Sequence, residues 1–115
     1  MTTIPAIEVA EVFRQSLRGE IAVKLIGDTS WRGMGSGNVE YSFGAWRITL
    51  FNDAMDLDYV DSVVAPDGRT AEYEDWFKPD HIGADPVDLL TNAERNALES
   101  LIEGLEPEEK LDEGI

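Results

Sequence analysis

Four aspartates, Asp53, Asp56, Asp58 and Asp61, lie in the stretch FNDAMDLDYVDSVVAPDGR (51–69), with no Lys or Arg between them. Carboxylates at that density can chelate a hard cation, act as a catalytic acid–base set, or stand in for the phosphates of a nucleic acid. Each use demands particular neighbours. A calcium loop starting at Asp56 needs Asp or Asn at its fifth position, Gly at its sixth and Glu at its twelfth. Val60, Asp61 and Asp67 occupy those places, so the sharp turn is missing and the bidentate ligand is one methylene short. Enzymes that form an aspartyl-phosphate place Asp-x-Asp at the end of a buried parallel strand and add magnesium and a distant lysine. Asp56-Leu57-Asp58 has the spacing, but the surrounding pattern is antiparallel and only Lys78 and Lys110 follow it. A looser divalent-cation or small-ligand site at the same turn acids is the alternative that remains.

A second acidic block, Glu72, Glu74 and Asp75, is interleaved with Tyr73, Trp76 and Phe77. Aromatic anchors within a charged rim compose a protein-binding face. Other chemistries lack their parts. The chain has no cysteine, which removes disulfides, thiolate metal sites and a cysteine nucleophile. His81 is the only histidine and adjoins Asp80, but no serine sits in an elbow motif. Gly33-Met34-Gly35-Ser36-Gly37 lacks the Gly-Lys-Ser/Thr ending of a phosphate loop, and no helix is expected after it. Trp31, Trp46 and Trp76 read as core positions. The expectation is a protein that is not an enzyme and uses no cofactor or metal. Its partner-binding residues would be Asp53, Asp56, Asp58, Asp61, Glu72, Glu74 and Asp75. Two local facts weigh against it: turns favour Asp because its carboxylate accepts from nearby backbone N–H groups, and an Arg69 paired with Asp58 or Asp61 would partly neutralise the cluster.

These acids need a sheet to hold them. Thr3 is placed as the cap of a first helix with Pro5 in its first turn; Ala6, Val9, Ala10, Phe13 and Leu17 line its apolar face and Gly19 ends it. A strand is expected over 20–26, a glycine-rich loop over 27–37, and strands over 38–43 and 46–52 joined by Gly44-Ala45 as a type II′ turn. Residues 53–58 read as a turn or bulge before a strand over 59–65, with Leu57 and Tyr59 re-entering the core. Pro66-Asp67-Gly68 turns the chain into a fifth, more polar strand over 69–76. Asp85-Pro86 opens a short helical turn carrying Val87, Leu89 and Leu90. Thr91 and Glu94 form a capping box for a last helix whose apolar face is Ala97, Leu98, Leu101, Ile102 and Leu105, stopped by Gly104 and Pro107. The fold class is α+β: N-terminal helix, four- to five-stranded antiparallel sheet, C-terminal helix.

At 115 residues the chain suits one domain, 1–105, followed by an acidic, mobile tail over 106–115. It carries 24 acids and nine bases, a net charge of −15. The last ten residues hold five acids and one lysine, so −11 remains without them. Such a surface repels nucleic acid and anionic lipid and attracts basic surfaces, although acidity also serves solubility alone. No leader segment and no membrane span is read, so a cytoplasmic location is expected.

The run Trp46, Thr49-Leu50, Asn52-Asp53, Leu57-Asp58-Tyr59, Asp61-Ser62, Ala65-Pro66-Asp67-Gly68-Arg69, Trp76, Asp85-Pro86 and Leu89-Leu90 resembles a small family of uncharacterised bacterial proteins, a domain of unknown function. That resemblance implies no activity and no catalytic residue. In size, acidity and lack of cysteine the chain is also similar to phage-encoded inhibitors of bacterial immune systems. The functional expectation is a small acidic module that meets a basic protein surface, a nucleic-acid-binding protein among the candidates, through a nucleic-acid-mimicking face. It would bind no nucleic acid and no membrane directly. A phage-type inhibitor of a bacterial defence system is one candidate form of it.

Overall fold

The structure, a computed structural model, describes residues 4–77 and 85–106. Helix α1 (Ala6–Leu17) opens without a side-chain cap: Pro5 holds the N-cap position in extended geometry, and its carbonyl accepts the first helical N–H, from Glu8, at 3.0 Å. Thr3, the expected cap, lies outside the described residues. Val9, Ala10, Val12 and Phe13 are buried, with Ala6 and Leu17 packed at the margin. Ser16 is buried too, and stays satisfied by donating to the Phe13 carbonyl at 2.6 Å.

The strands are β1 (Val23–Ile26), β2 (Gly37–Phe43), β3 (Trp46–Asp53), β4 (Asp56–Val64) and β5 (Thr70–Glu72). They form one antiparallel meander in the order β1-β2-β3-β4-β5. This is the α+β architecture expected from the pattern. Alternation places Val39, Tyr41, Phe43, Ile48 and Leu50 on one face, where helices α1 and α3 (Asn92–Glu103) cover them. Phe13 meets Phe43 edge-on at 5.2 Å between centroids, and the Tyr41 hydroxyl donates to the Ile102 carbonyl at 3.4 Å. Glu40, Ser42, Arg47, Thr49 and Phe51 point to the other face.

Several expectations are corrected. The glycine-rich loop contains a short helix, α2 (Trp31–Met34), because Ser30 accepts the Gly33 N–H at 3.0 Å and the Trp31 side chain is fully buried. The fifth strand ends at Glu72, not at 76. From Tyr73 to Phe77 the chain curls into a 3-10 turn, drawn in by the Trp76 indole N–H donating to the Ile4 carbonyl at 2.9 Å and by the Glu72 N–H donating to the Asp75 carboxylate at 2.8 Å. On α3 the capping box is present, with Leu98 and Ile102 buried, but Ala97 is exposed. Leu89, in the 3-10 turn Pro86–Leu89, is exposed as well. Pro107 lies outside the described residues.

The two-residue turns of the β2–β3 and β3–β4 hairpins differ in cost. Gly44 has φ +61° and Ala45 has no positive φ, as a type II′ turn requires. At the β3–β4 hairpin, Asp53 opposes Asp56, and the two loop residues Ala54 and Met55 have φ of +52° and +81°. That is the pattern of a type I′ turn made without asparagine or glycine. Left-handed backbone costs an L-residue with a Cβ about 1–2 kcal/mol. Ala54→Asn, which tolerates this conformation, is expected to stabilise the protein by about 0.5–1 kcal/mol in urea unfolding. No gain, or a loss, would mean that Ala54 is unstrained.

Candidate functional site

Strand β4 is where the acids are set. Its register against β3 runs Asn52 to Leu57, Phe51 to Tyr59, Leu50 to Val60 and Thr49 to Ser62, with irregularities between Phe51 and Asn52 and between Thr49 and Leu50. Asp58 and Asp61 are the two residues without a partner on β3. Each is the extra residue of a β-bulge. Two bulges stretch the inward spacing from two residues to three, so Leu57, Val60 and Val63 all face the core.

The bulges also turn Tyr59 out of the core, contrary to the expectation that it would pack inside. It is half-buried on the open face and stacks on Phe51 at 4.9 Å and 15° between planes. On its other side the Tyr73 ring lies 4.5 Å away, tilted by 45°. Phe51, Tyr59 and Tyr73 thus form a row of rings across β3, β4 and the 3-10 turn after β5. Beside it is a groove of about 330 Å³ lined by Tyr59, Asp61, Ser62, Glu72, Tyr73 and Glu74. Reduced hydration, followed by the neighbouring Asp61 and Asp58 carboxylates, raises the Tyr59 hydroxyl above the usual phenol range.

The seven expected binding acids therefore separate into groups. Asp61, Glu72 and Glu74 share the groove, and Asp58 lies close enough to affect Tyr59. Asp53 and Asp56 face each other at the hairpin tip. Asp75 turns back to accept the Glu72 N–H. Arg69 does not reach the cluster. Its two Nη groups grip the Glu8 carboxylate at 3.0 and 2.7 Å, and its Nε donates to Asp67 at 2.9 Å. Those carboxylates raise the Arg69 pKa, Glu8 first. Among the described residues no ion pair joins Asp53, Asp56, Asp58, Asp61, Glu72 or Glu74 to a cation. No group of three or more His, Cys, Asp or Glu among them is arranged to hold a metal ion. His81 and Lys78 lie outside the described residues.

Beyond β5 the edge of β4 is closed by side chains. Glu99 accepts the Leu57 N–H at 2.9 Å, Arg95 donates to the Leu57 carbonyl at 2.6 Å, and Asp85 accepts the Val60 N–H at 3.0 Å. An open edge would invite pairing with another strand; here the bulged backbone is satisfied from α3 and the loop before it. Asp85 also accepts the Val87 N–H at 2.9 Å and is 2% exposed. Burial pushes its carboxyl up to about 6, against the two N–H donors that favour the charged form.

The residues that the spacing did not reveal are Phe51, Tyr59 and Ser62, whereas Tyr73 stands in the acidic and aromatic block read from the sequence. One signal was present: apolar residues three apart at 57, 60 and 63 inside an evident strand fit neither a helix nor an unbulged strand. Among the described residues, no helix is long and apolar enough to cross a membrane. A family model, Domain of unknown function (DUF7693), matches residues 3–104. No curated protein and no solved structure matches.

Proposed function

The chain belongs to the family Domain of unknown function (DUF7693), and from that premise we propose that it is a non-enzymatic, cytoplasmic binding module that engages a basic surface of a protein partner. The observation that carries this reading is the set Asp53, Asp56, Asp58, Asp61, Glu72 and Glu74, to which no ion pair brings a cation among the described residues, beside the row of rings Phe51, Tyr59 and Tyr73. Uncompensated carboxylates raise the encounter rate with a cationic surface and repel nucleic acid. Rings next to them supply apolar contact area. A nucleic-acid-binding protein is a natural partner of this kind, since its own groove is built for an anion. Inhibition of a bacterial defence protein would be one use of such binding.

The test is capture of partners from a host lysate at low and high salt, by the wild type and by a variant carrying Asp53→Asn, Asp56→Asn, Asp58→Asn and Asp61→Asn. The wild type is expected to retain a specific partner at low salt and lose it as salt rises. The variant, with its melting curve intact, is expected to bind at least about tenfold more weakly, given a few tenths to 1 kcal/mol per exposed charge pair. Equal capture by both proteins, or capture indifferent to salt, would overturn the reading.

A further inference from the structure

We propose that the free edge of β1 receives an extended segment of a partner protein by antiparallel strand addition, with a carboxylate of that segment set opposite Lys24. The assignment goes beyond the acidic surface, which lies across the sheet on β4 and β5. Register fixes which backbone groups are open. The Gly44 N–H donates to the Ala22 carbonyl at 2.8 Å, and the pairing continues as Val23 to Phe43, Lys24 to Ser42, Leu25 to Tyr41 and Ile26 to Glu40. Bonded pairs alternate along an antiparallel ladder, so Lys24 and Ile26 bond β2 as Ala22 does. The N–H and C=O groups of Val23 and Leu25 therefore point away from the sheet. No strand lies beyond β1, and no hydrogen bond from the described residues reaches these groups. The stretch of β4 that runs past β5 is treated differently, being closed by Glu99, Arg95 and Asp85.

The rest of this edge suits pairing. β1 has no proline and its register against β2 is unbroken, so neither a missing N–H nor a bulge blunts it. Ile21 and Val23 are only partly buried against the core, which leaves apolar surface at the rim for a strand to cover. Lys24 decides the occupant. It is exposed on the sheet face opposite Leu25 and has no ion pair among the described residues. A lysine in an edge strand discourages pairing with the wrong strand. Here the wrong strand is a second copy of this chain. The self-pairing that uses both open residues, Val23 of one copy against Leu25 of the other, brings the two Lys24 side chains face to face, and each copy carries −15. A carboxylate opposite Lys24 turns the same charge into an attraction. The neighbours of that carboxylate face the core side beside Val23 and Leu25, so they are apolar, and β-branched residues suit the pleat. The net charge of the chain disfavours further acids, so the segment is otherwise neutral or basic.

The probes are the capped peptide Lys-Thr-Val-Glu-Val-Thr-Lys and the same peptide with lysine in place of its glutamate, titrated to millimolar concentration into the full chain and followed by amide NMR and hydrogen exchange. In the free chain the Val23 and Leu25 amides are expected to exchange at least about tenfold faster than those of Lys24 and Ile26. The glutamate peptide should shift and protect the Val23 and Leu25 amides and bind about fivefold more tightly than the lysine peptide, from the opposite sign of the cross-strand pair. Lys24→Glu should reverse that preference and Lys24→Gln should abolish it, with melting curves to show that both variants fold. Methylating the two valine nitrogens of the peptide, which face β1, should abolish binding. Val23 and Leu25 amides already as protected as their neighbours, no shift with the glutamate peptide, equal affinity for the two peptides, or binding that survives methylation would each overturn the assignment. So would a concentration-dependent dimer that protects the same amides, which would give the edge to a second copy. None of these results depends on lysate capture, so the acidic-surface reading stands or falls separately.

Discussion

Asn52→Ala is expected to destabilise the protein by about 3 kcal/mol, measured as a lower urea midpoint at an unchanged slope. Asn52 is fully buried at the end of β3. Its Nδ2 donates to the Trp31 carbonyl at 2.8 Å, and its Oδ1 accepts the Met55 N–H at 2.6 Å. The Trp31 indole N–H closes the ring by donating to the Met55 carbonyl at 3.1 Å. Three residues from β3, α2 and the hairpin loop are thus tied to one another. Met55 is one of the two loop residues with positive φ, so the same ring holds the strained turn shut. Alanine leaves the Trp31 carbonyl without this donor, opens a small cavity and releases the turn. The Met55 N–H keeps a second acceptor in the Gly35 carbonyl at 3.0 Å, which limits the loss. Asn52→Asp matches the shape but cannot donate to Trp31 and buries a charge, so it should cost at least as much. As a control, Ser36→Ala removes only the exposed bond to the Ala54 N–H and should cost about 1 kcal/mol or less. If Asn52→Ala matches that control, the ring does not hold the turn.

Asp85→Asn is expected to gain on the wild type by about 2–3 kcal/mol as pH rises from 4 to 7. The Asp85 carboxyl is lifted from 3.8 to about 6, chiefly by burial. A carboxyl with a raised folded-state pKa binds extra protons in the native protein between its two values. Its contribution to stability is therefore greatest below 3.8 and is lost as pH climbs through 6. Asp67, Glu20 and Glu94 act in the opposite sense. Hydrogen bonds, from Arg69, Arg18 and the Thr91 backbone respectively, lower their pKa values, so their support appears above the ordinary carboxylate range and fades in acid. Those groups are common to both proteins, so the difference between the two stability curves isolates Asp85. Near pH 4 the amide should be the less stable of the two, since the Val60 and Val87 N–H groups donate to different carboxyl oxygens and the amide nitrogen cannot accept in place of one of them; the change of the difference with pH, not its offset, reports Asp85. Parallel curves from pH 4 to 7 would show that Asp85 does not titrate in this range.

How far the sequence could be read depended on whether a signal was local. The capping box at Thr91 and Glu94, the Asp85 cap and the glycine at the first position of the β2–β3 turn are all determined within four residues, and all three are present. The fold class follows from them and from alternation along β2 and β3. Misjudged elements were governed by distant partners. The fifth strand stops at Glu72 because Trp76 reaches a carbonyl at Ile4, across 72 residues of chain. The loop over 27–37 contains a helix because Trp31 finds its place between the hairpin and the core.

For the candidate site the division is sharper. The sequence by itself determined that this chain is acidic, free of cysteine, and crowded with carboxylates around 53–61 and 72–75, because composition and spacing need no partner to be read. Only the tertiary structure decided that Arg69 goes to Glu8, that Asp58 and Asp61 occupy bulges, and that Tyr59 turns outward to meet Phe51 and Tyr73. A bulge is a property of two strands in register, and an ion pair a choice among acids brought near by folding. Neither exists until β3, β4 and α1 are packed together.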